Sequence, residues 1–155
     1  MKKKAIFISS SGGHLTQLLQ LNKIFDDFNY VLLTEKNDVT KDLKEKYNVK
    51  YVPYSSRKKI LSFPFKFGWL CLKSFWYLIK FRPNYIITTG AGTAVPLCYF
   101  GKIFGCKIIY IESFARMNAK SLTGKIIYPI ANLFVVQWEE MLNVYPKAKF
   151  YGSIY

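Results

Sequence analysis

Acidic residues are scarce in this 155-residue chain: nine Asp and Glu stand against 23 Lys and Arg, a formal charge of +14. That imbalance points to an anionic partner, whether nucleic acid, an anionic membrane or a phosphate-bearing substrate. Cysteine is equally sparse. Cys71, Cys98 and Cys106 lie in apolar surroundings without CxxC or Cys/His spacing, which excludes a disulfide framework and a zinc site, and no metal is expected. Uncharged hydrophobic runs are short. Lys2-Lys3-Lys4 is followed by too few apolar residues for the h-region of a cleaved signal. No window of about 18 residues is free of charge, which argues against a spanning helix. The expected location is the cytoplasmic face of a membrane, held peripherally. Repeats, low-complexity runs and internal linkers are missing too, so residues 1–155 are read as one domain.

What is present alternates. Short apolar, β-rich runs at Lys4–Ile8, Tyr30–Thr34, Val49–Pro53, Tyr85–Thr89, Lys107–Ile111, Leu133–Val136 and Lys149–Tyr151 read as strands. Between them, helical spacing begins after His14 (Leu15, Leu18, Leu19, Leu21) and recurs over Val39–Lys46, roughly Leu61–Phe81, Thr93–Phe104, Ser121–Ile130 and Glu139–Tyr145. Pro64 limits the regular part of the long helix to the residues after it, and Pro96 suits a first turn. The pattern predicts an α/β fold with one Rossmann-like, doubly wound parallel sheet, whose ligands collect at the carboxyl ends of the strands.

Three turns fall at those ends. Ser9-Ser10-Ser11-Gly12-Gly13-His14 takes the first strand into a helix, presenting backbone N–H groups and a helix dipole to an anion. The only histidine, His14, stands there either as a base or as a capping and packing residue. Thr88-Thr89-Gly90-Ala91-Gly92-Thr93 forms a second such turn, with the hydroxyls of Thr89 and Thr93 as expected extra donors. Glu112-Ser113-Phe114-Ala115-Arg116 closes the fifth strand. Arg116 suits a phosphate, or a pair with Glu112 that fixes the loop.

The segment Phe65–Phe81 is too apolar for a helix with one solvated face. Lys66, Lys73 and Lys80, each seven residues apart, form one narrow stripe, and aromatic residues fill the remainder. With Lys58, Lys59 and Arg82 flanking it, a helix over about 65–82 resembles an interfacial membrane element. Its expected membrane-facing residues are Lys58, Lys59, Lys66, Phe67, Trp69, Lys73, Trp76, Lys80 and Arg82. A partner subunit covering the same surface is the other reading.

Taken in order, Ser11-Gly12-Gly13-His14-Leu15, the Thr88–Thr93 turn, Tyr110-Ile111-Glu112-Ser113-Phe114-Ala115-Arg116 and Phe150-Tyr151-Gly152-Ser153-Ile154-Tyr155 resemble bacterial capsule and exopolysaccharide proteins of the PssD/CpsF type. These are similar to the membrane-anchoring subunit of the eukaryotic two-subunit N-acetylglucosaminyltransferase acting on dolichol-diphosphate-GlcNAc. The resemblance implies the N-terminal, acceptor-side half of a GT-B glycosyltransferase of the MurG kind. A separate small subunit would supply the UDP-sugar site, and the chain itself would hold no cofactor. The implied acceptor is an undecaprenyl-diphosphate-linked sugar. Its diphosphate is expected at Gly12, Gly13, Thr89, Gly90, Gly92, Thr93 and Arg116, with Ser11, Glu112 and Ser113 in support and His14 as base for an inverting transfer. The eukaryotic proteins carry an N-terminal spanning helix that is not seen here, which leaves anchoring to the 65–82 helix.

Two other classes fit parts of the chain. A nicotinamide-dependent oxidoreductase would use the first glycine turn and hold a ribose with Glu35, but the third glycine of GxGxxG is missing. A nucleic-acid-binding module would explain the charge, yet no recognition motif stands out, and nucleic acid is not expected as a partner.

Overall fold

The computed structural model of the protein describes residues 2–54 and 63–154. Strands β1 (Lys4–Ile8), β2 (Asn29–Glu35), β3 (Val49–Val52), β4 (Tyr85–Thr88), β5 (Lys107–Ile111), β6 (Leu133–Val136) and β7 (Lys149–Phe150) form one seven-stranded sheet in the order β3-β2-β1-β4-β5-β6-β7. All its pairings are parallel. Parallel strands are buried on both faces, and the chain supplies side chains for both. Ile6, Ile8, Val31, Leu33, Ile86 and Ile108 belong to one core, whereas Ala5, Phe7, Leu32 and Ile87 alternate into the other.

The helices divide unequally over these faces. Helix α1 (Gly13–Leu19) buries Leu15 and Leu18 in the second core, with Phe25 from the next 3-10 turn. Helices α2 (Phe63–Phe81), α3 (Val95–Ile103) and α4 (Leu122–Ile127) share the first through Leu70, Leu78, Leu97 and Ile127. Pro64 lies inside the first turn of α2 and Pro96 in the first turn of α3, where the missing N–H costs no hydrogen bond.

Several expected helices are tighter or shorter than their sequence pattern. The Val39–Lys46 segment is a 3-10 turn over Lys41–Glu45, because Asn37 Oδ1 accepts from the N–H groups of Val39 and Thr40 and coils the entry. Glu139–Tyr145 contracts to a 3-10 turn at Glu139–Leu142, and Ser121–Ile130 to α4 ahead of Pro129. The strand expected to reach Thr89 stops at Thr88, so Thr89 belongs to the turn.

Helix α2 buries Leu70, Ser74 and Leu78, one residue every four. Ser74 is fully buried, and its hydroxyl finds no hydrogen-bond partner among the described residues. A lone buried hydroxyl costs about 1–3 kcal/mol. Ser74→Ala is therefore expected to stabilise the protein by about 1 kcal/mol, raising the thermal midpoint by roughly 2–4 °C; an unchanged or lower midpoint in calorimetry counts against this account.

Candidate functional site

The chain leaves β1 for β2 and β3 on one side, then returns to place β4 against β1 on the other. Strands β1 and β4 thus flank the point where strand order reverses, and Ile8 pairs with Thr88 at its edge. Open parallel sheets bind ligands in this crevice. Both glycine turns stand there, brought together by the fold.

Each turn needs its glycine. Gly12 precedes α1 with φ +93°. Gly90 has φ +109°, and a Cβ there would lie 3.3 Å from the His14 ring and 3.1 Å from the Tyr110 hydroxyl. Ala91 also has positive φ, +71°, a conformation that costs an L residue roughly 1–3 kcal/mol. Neither α1 nor the 3-10 turn Gly92–Ala94 that leads into α3 has a side-chain cap. Helix α4, outside the crevice, is capped by Ser121, whose Oγ accepts from the Gly124 N–H. The leading N–H groups of a helix have no intrahelical acceptor; at α4 a hydroxyl takes one of them, whereas the two crevice turns have no such cap.

His14 is half-buried and fixed by a reciprocal pair of bonds. Its Nδ1 lies 2.8 Å from the Thr89 carbonyl oxygen, and the Thr89 hydroxyl donates back to the His14 carbonyl at 2.6 Å. A carbonyl only accepts, so Nδ1 carries the proton, and the lone pair of the neutral ring is on Nε2. The expectation that Thr89 and Thr93 offer hydroxyl protons to a ligand is corrected here. Both residues are buried, and the Thr93 hydroxyl donates to Glu35 Oε1 at 2.6 Å. Of the turn's backbone N–H groups, that of Gly90 is also engaged, donating to Thr88 Oγ1 at 3.0 Å, which leaves those of Ala91–Thr93 for a ligand.

Glu35, at the end of β2, is 2% exposed, and its other oxygen accepts from the Ser11 N–H (2.7 Å) and hydroxyl (3.1 Å). With both oxygens engaged inside the protein, it has none left for a ribose. The dinucleotide reading loses its acidic residue.

At the end of β5, Glu112 is 1% exposed and gathers donors from across the domain. Its Oε1 accepts from the Ser113 N–H at 2.9 Å, and its Oε2 from the hydroxyls of Tyr145 at 2.9 Å and Ser121 at 3.0 Å. A Cβ on Gly124 would fall 2.2 Å from that Oε2, so the α4 backbone must approach bare. No ion pair joins Glu112 to the exposed Arg116 among the described residues; hydroxyls and amides fix the loop instead. Gln17 of α1 accepts from the Phe114 N–H (3.3 Å) and from Gln137 Nε2 (3.1 Å), while the Trp138 indole donates to the Phe114 carbonyl (2.7 Å). Gln17, Ser121, Gln137, Trp138 and Tyr145 were not expected at the site, and no local motif announces them.

Burial first, and then the Glu112 charge, push the Tyr110 and Tyr145 phenols well above their ordinary value. A raised folded-state pKa contributes stability that is complete below the unfolded value of about 10 and is lost above it. The unfolding free energy from urea titrations should hold to about pH 10, then fall by up to about 1.4 kcal/mol per pH unit for each phenol. Tyr145→Phe should flatten that decline, and a variant with the wild-type slope would contradict the assignment.

The outward side of α2 is set by its buried stripe. Phe65, Trp69, Leu72, Trp76 and Ile79 are exposed large hydrophobic residues at helical spacing. Phe67, expected among them, instead packs against the core and stacks on Phe63 at 5.5 Å. The Lys73 ammonium lies 5.4 Å and 5.7 Å from the Trp69 and Trp76 ring centroids, and Lys80 lies 4.5 Å from Trp76. Lys66 and Arg82 are exposed beside them, whereas Lys58 and Lys59 lie outside the described residues. Among the described residues no helix is long and apolar enough to cross a membrane.

Residues 5–154 match the family described as "Oligosaccharide biosynthesis protein Alg14 like". The chain belongs to this Alg14-like family. A relative from Schizosaccharomyces pombe, named UDP-N-acetylglucosamine transferase subunit alg14, is 30% identical over 177 aligned positions, covering 99% of this chain and 84% of its own. The mouse protein of the same name is 27% identical, with 97% and 82% covered. The Kluyveromyces lactis protein is 46% identical over 79 residues, but these span 47% of this chain and 34% of the relative. In fold, the Alg14-like chain is similar to Acinetobacter baumannii MurG, with a TM-score of 0.72 at 15% identity, over 89% of this chain and 42% of MurG. It is also similar to a Rickettsia bellii UDP-N-acetylglucosamine 2-epimerase, with a TM-score of 0.76 at 15% identity, over 99% and 46%. The seven-stranded sheet is therefore similar in fold to the N-terminal Rossmann-like half of the GT-B architecture.

Proposed function

We propose that this Alg14-like chain is the acceptor-side, membrane-recruiting subunit of a two-component, inverting UDP-sugar glycosyltransferase. It acts on an undecaprenyl-diphosphate-linked sugar in capsule or exopolysaccharide synthesis, at the cytoplasmic face of the cell membrane. The observation that carries the reading is the crevice between β1 and β4. Two uncapped turns meet there around an imidazole whose free nitrogen is fixed by the Thr89 carbonyl. The acceptor diphosphate takes N–H groups at Gly12–Gly13 or, past the Gly90 N–H that Thr88 Oγ1 already holds, at Ala91–Thr93. Arg116, on the same sheet edge, adds a guanidinium. His14 Nε2 accepts the proton of the attacking sugar hydroxyl as the bond between the donor sugar and UDP breaks. The donor pocket comes from a small partner subunit, the counterpart of the MurG half that this chain does not cover. The names of its relatives make UDP-N-acetylglucosamine the first donor to assay.

The test is co-expression with a candidate donor-binding subunit, then pull-down and sugar transfer on membranes with several UDP-sugars. Transfer is expected from the pair, with very little from either chain alone. Efficient transfer by this chain in isolation would remove the two-subunit reading.

A further inference from the structure

We propose that Glu35 is a positioning residue for the transfer site, a strut that sets the separation of the two glycine turns and thereby the aim of His14. The role in transfer rests on the function proposed above; the strut itself rests on geometry. A buried carboxylate is costly unless donors surround it. Glu35 is 2% exposed, and the donors it meets come from the two crevice turns: Ser11 N and Oγ at 2.7 and 3.1 Å, and Thr93 Oγ1 at 2.6 Å. The last is in the range of a charge-assisted O–H···O⁻ bond.

The topology makes the reach significant. Strand β2 lies beside β1 and away from β4. By meeting Ser11 after β1 and Thr93 after β4, the Glu35 side chain ties three strand ends together. The backbone of Glu35 is held as well, since the Thr40 hydroxyl donates to its carbonyl at 2.7 Å. A second tie joins the same two turns, the reciprocal pair between His14 and Thr89. One tie alone would act as a hinge, whereas two at separate points fix both distance and angle. An apolar side chain would fill the same space without linking the turns. A carboxylate, with two accepting oxygens, links both.

Thr93→Val removes one bond at nearly constant volume, Glu35→Gln replaces one acceptor by a donor, and Thr93→Ser keeps the hydroxyl. The readout in the isolated subunit is the imidazole NMR spectrum, which needs no assignment because the protein has one histidine. In the assembled pair, kinetics are measured separately for the lipid-linked acceptor and the UDP-sugar. Thr93→Val and Glu35→Gln are expected to broaden or lose the His14 Nδ1–H signal. They should lower kcat/KM for the acceptor by about 10- to 100-fold while the UDP-sugar KM stays unchanged. Thr93→Ser should restore both. An imidazole spectrum that stays wild-type in Thr93→Val and Glu35→Gln overturns the strut, even if thermal stability falls. A perturbed spectrum in a pair whose wild type transfers no sugar to any lipid-linked acceptor supports the strut and overturns the transferase reading.

Discussion

Replacing His14 by asparagine is expected to lower turnover of the assembled pair by about 10²-fold or more, with subunit assembly and the fold intact. Asparagine can still donate an N–H toward the Thr89 carbonyl, which His14 now meets at 2.8 Å. What it lacks is a basic nitrogen on the opposite side. The substitution therefore separates the two roles that the sequence leaves open at this position. If His14 only packs the turn, asparagine should keep most of the activity, and pull-down yield should report any structural loss. If Nε2 removes the acceptor proton, the loss falls on kcat while the KM for the nucleotide sugar is untouched. Thr89→Val, which removes only the bond to the His14 carbonyl, should cost less than tenfold because the Thr89 carbonyl remains in place. Wild-type turnover by His14→Asn in an intact pair would falsify the base role.

The strands were the most legible part of the fold. Runs such as Lys107–Ile111 and Leu133–Val136 are apolar because parallel strands face packed layers on both sides, so composition alone marks them. Helix ends were less legible where polar side chains compete for the backbone. Asn37 and Thr40 turn the 39–46 segment into a 3-10 coil, which its charged helical pattern does not announce. At the site, Gly12 and Gly90 could be read because positive φ favours glycine. The partners of His14 and Glu35 could not. Thr89 is 75 residues from His14 and contributes a carbonyl, and Thr93 is 58 residues from Glu35. The hydroxyls beside the second turn looked like donors to a ligand because sequence shows proximity to the turn, not prior commitment inside it. Phe67 and Phe65 illustrate the same limit. Two residues apart on a helix, they point to opposite sides, and only the packing of Leu70, Ser74 and Leu78 sets which side is inward.

Changing Lys66, Lys73 and Lys80 together to alanine is expected to weaken binding to vesicles containing anionic phospholipid by about 10²-fold, at roughly 1 kcal/mol for each lysine near the surface. The geometry of α2 gives reason to test them as a unit. Phe65, Trp69, Leu72, Trp76 and Ile79 are exposed on the side away from the buried stripe, and the ammonium groups of Lys73 and Lys80 lie over the indoles. Indoles at a headgroup boundary beside ammonium groups are the arrangement of an interfacial helix. Helix α2 comes between β3 and β4 in chain order and packs on the layer of the first core. A lipid-linked acceptor entering the crevice would keep its chain beside the aromatic stripe and its diphosphate near the turns. Binding should fall with ionic strength and be weak on neutral vesicles, whereas Trp69→Ser with Trp76→Ser should weaken both vesicle types. Flotation of the triple-alanine protein at wild-type levels would instead assign the aromatic stripe to a protein partner, because a subunit interface has no need of anionic lipid.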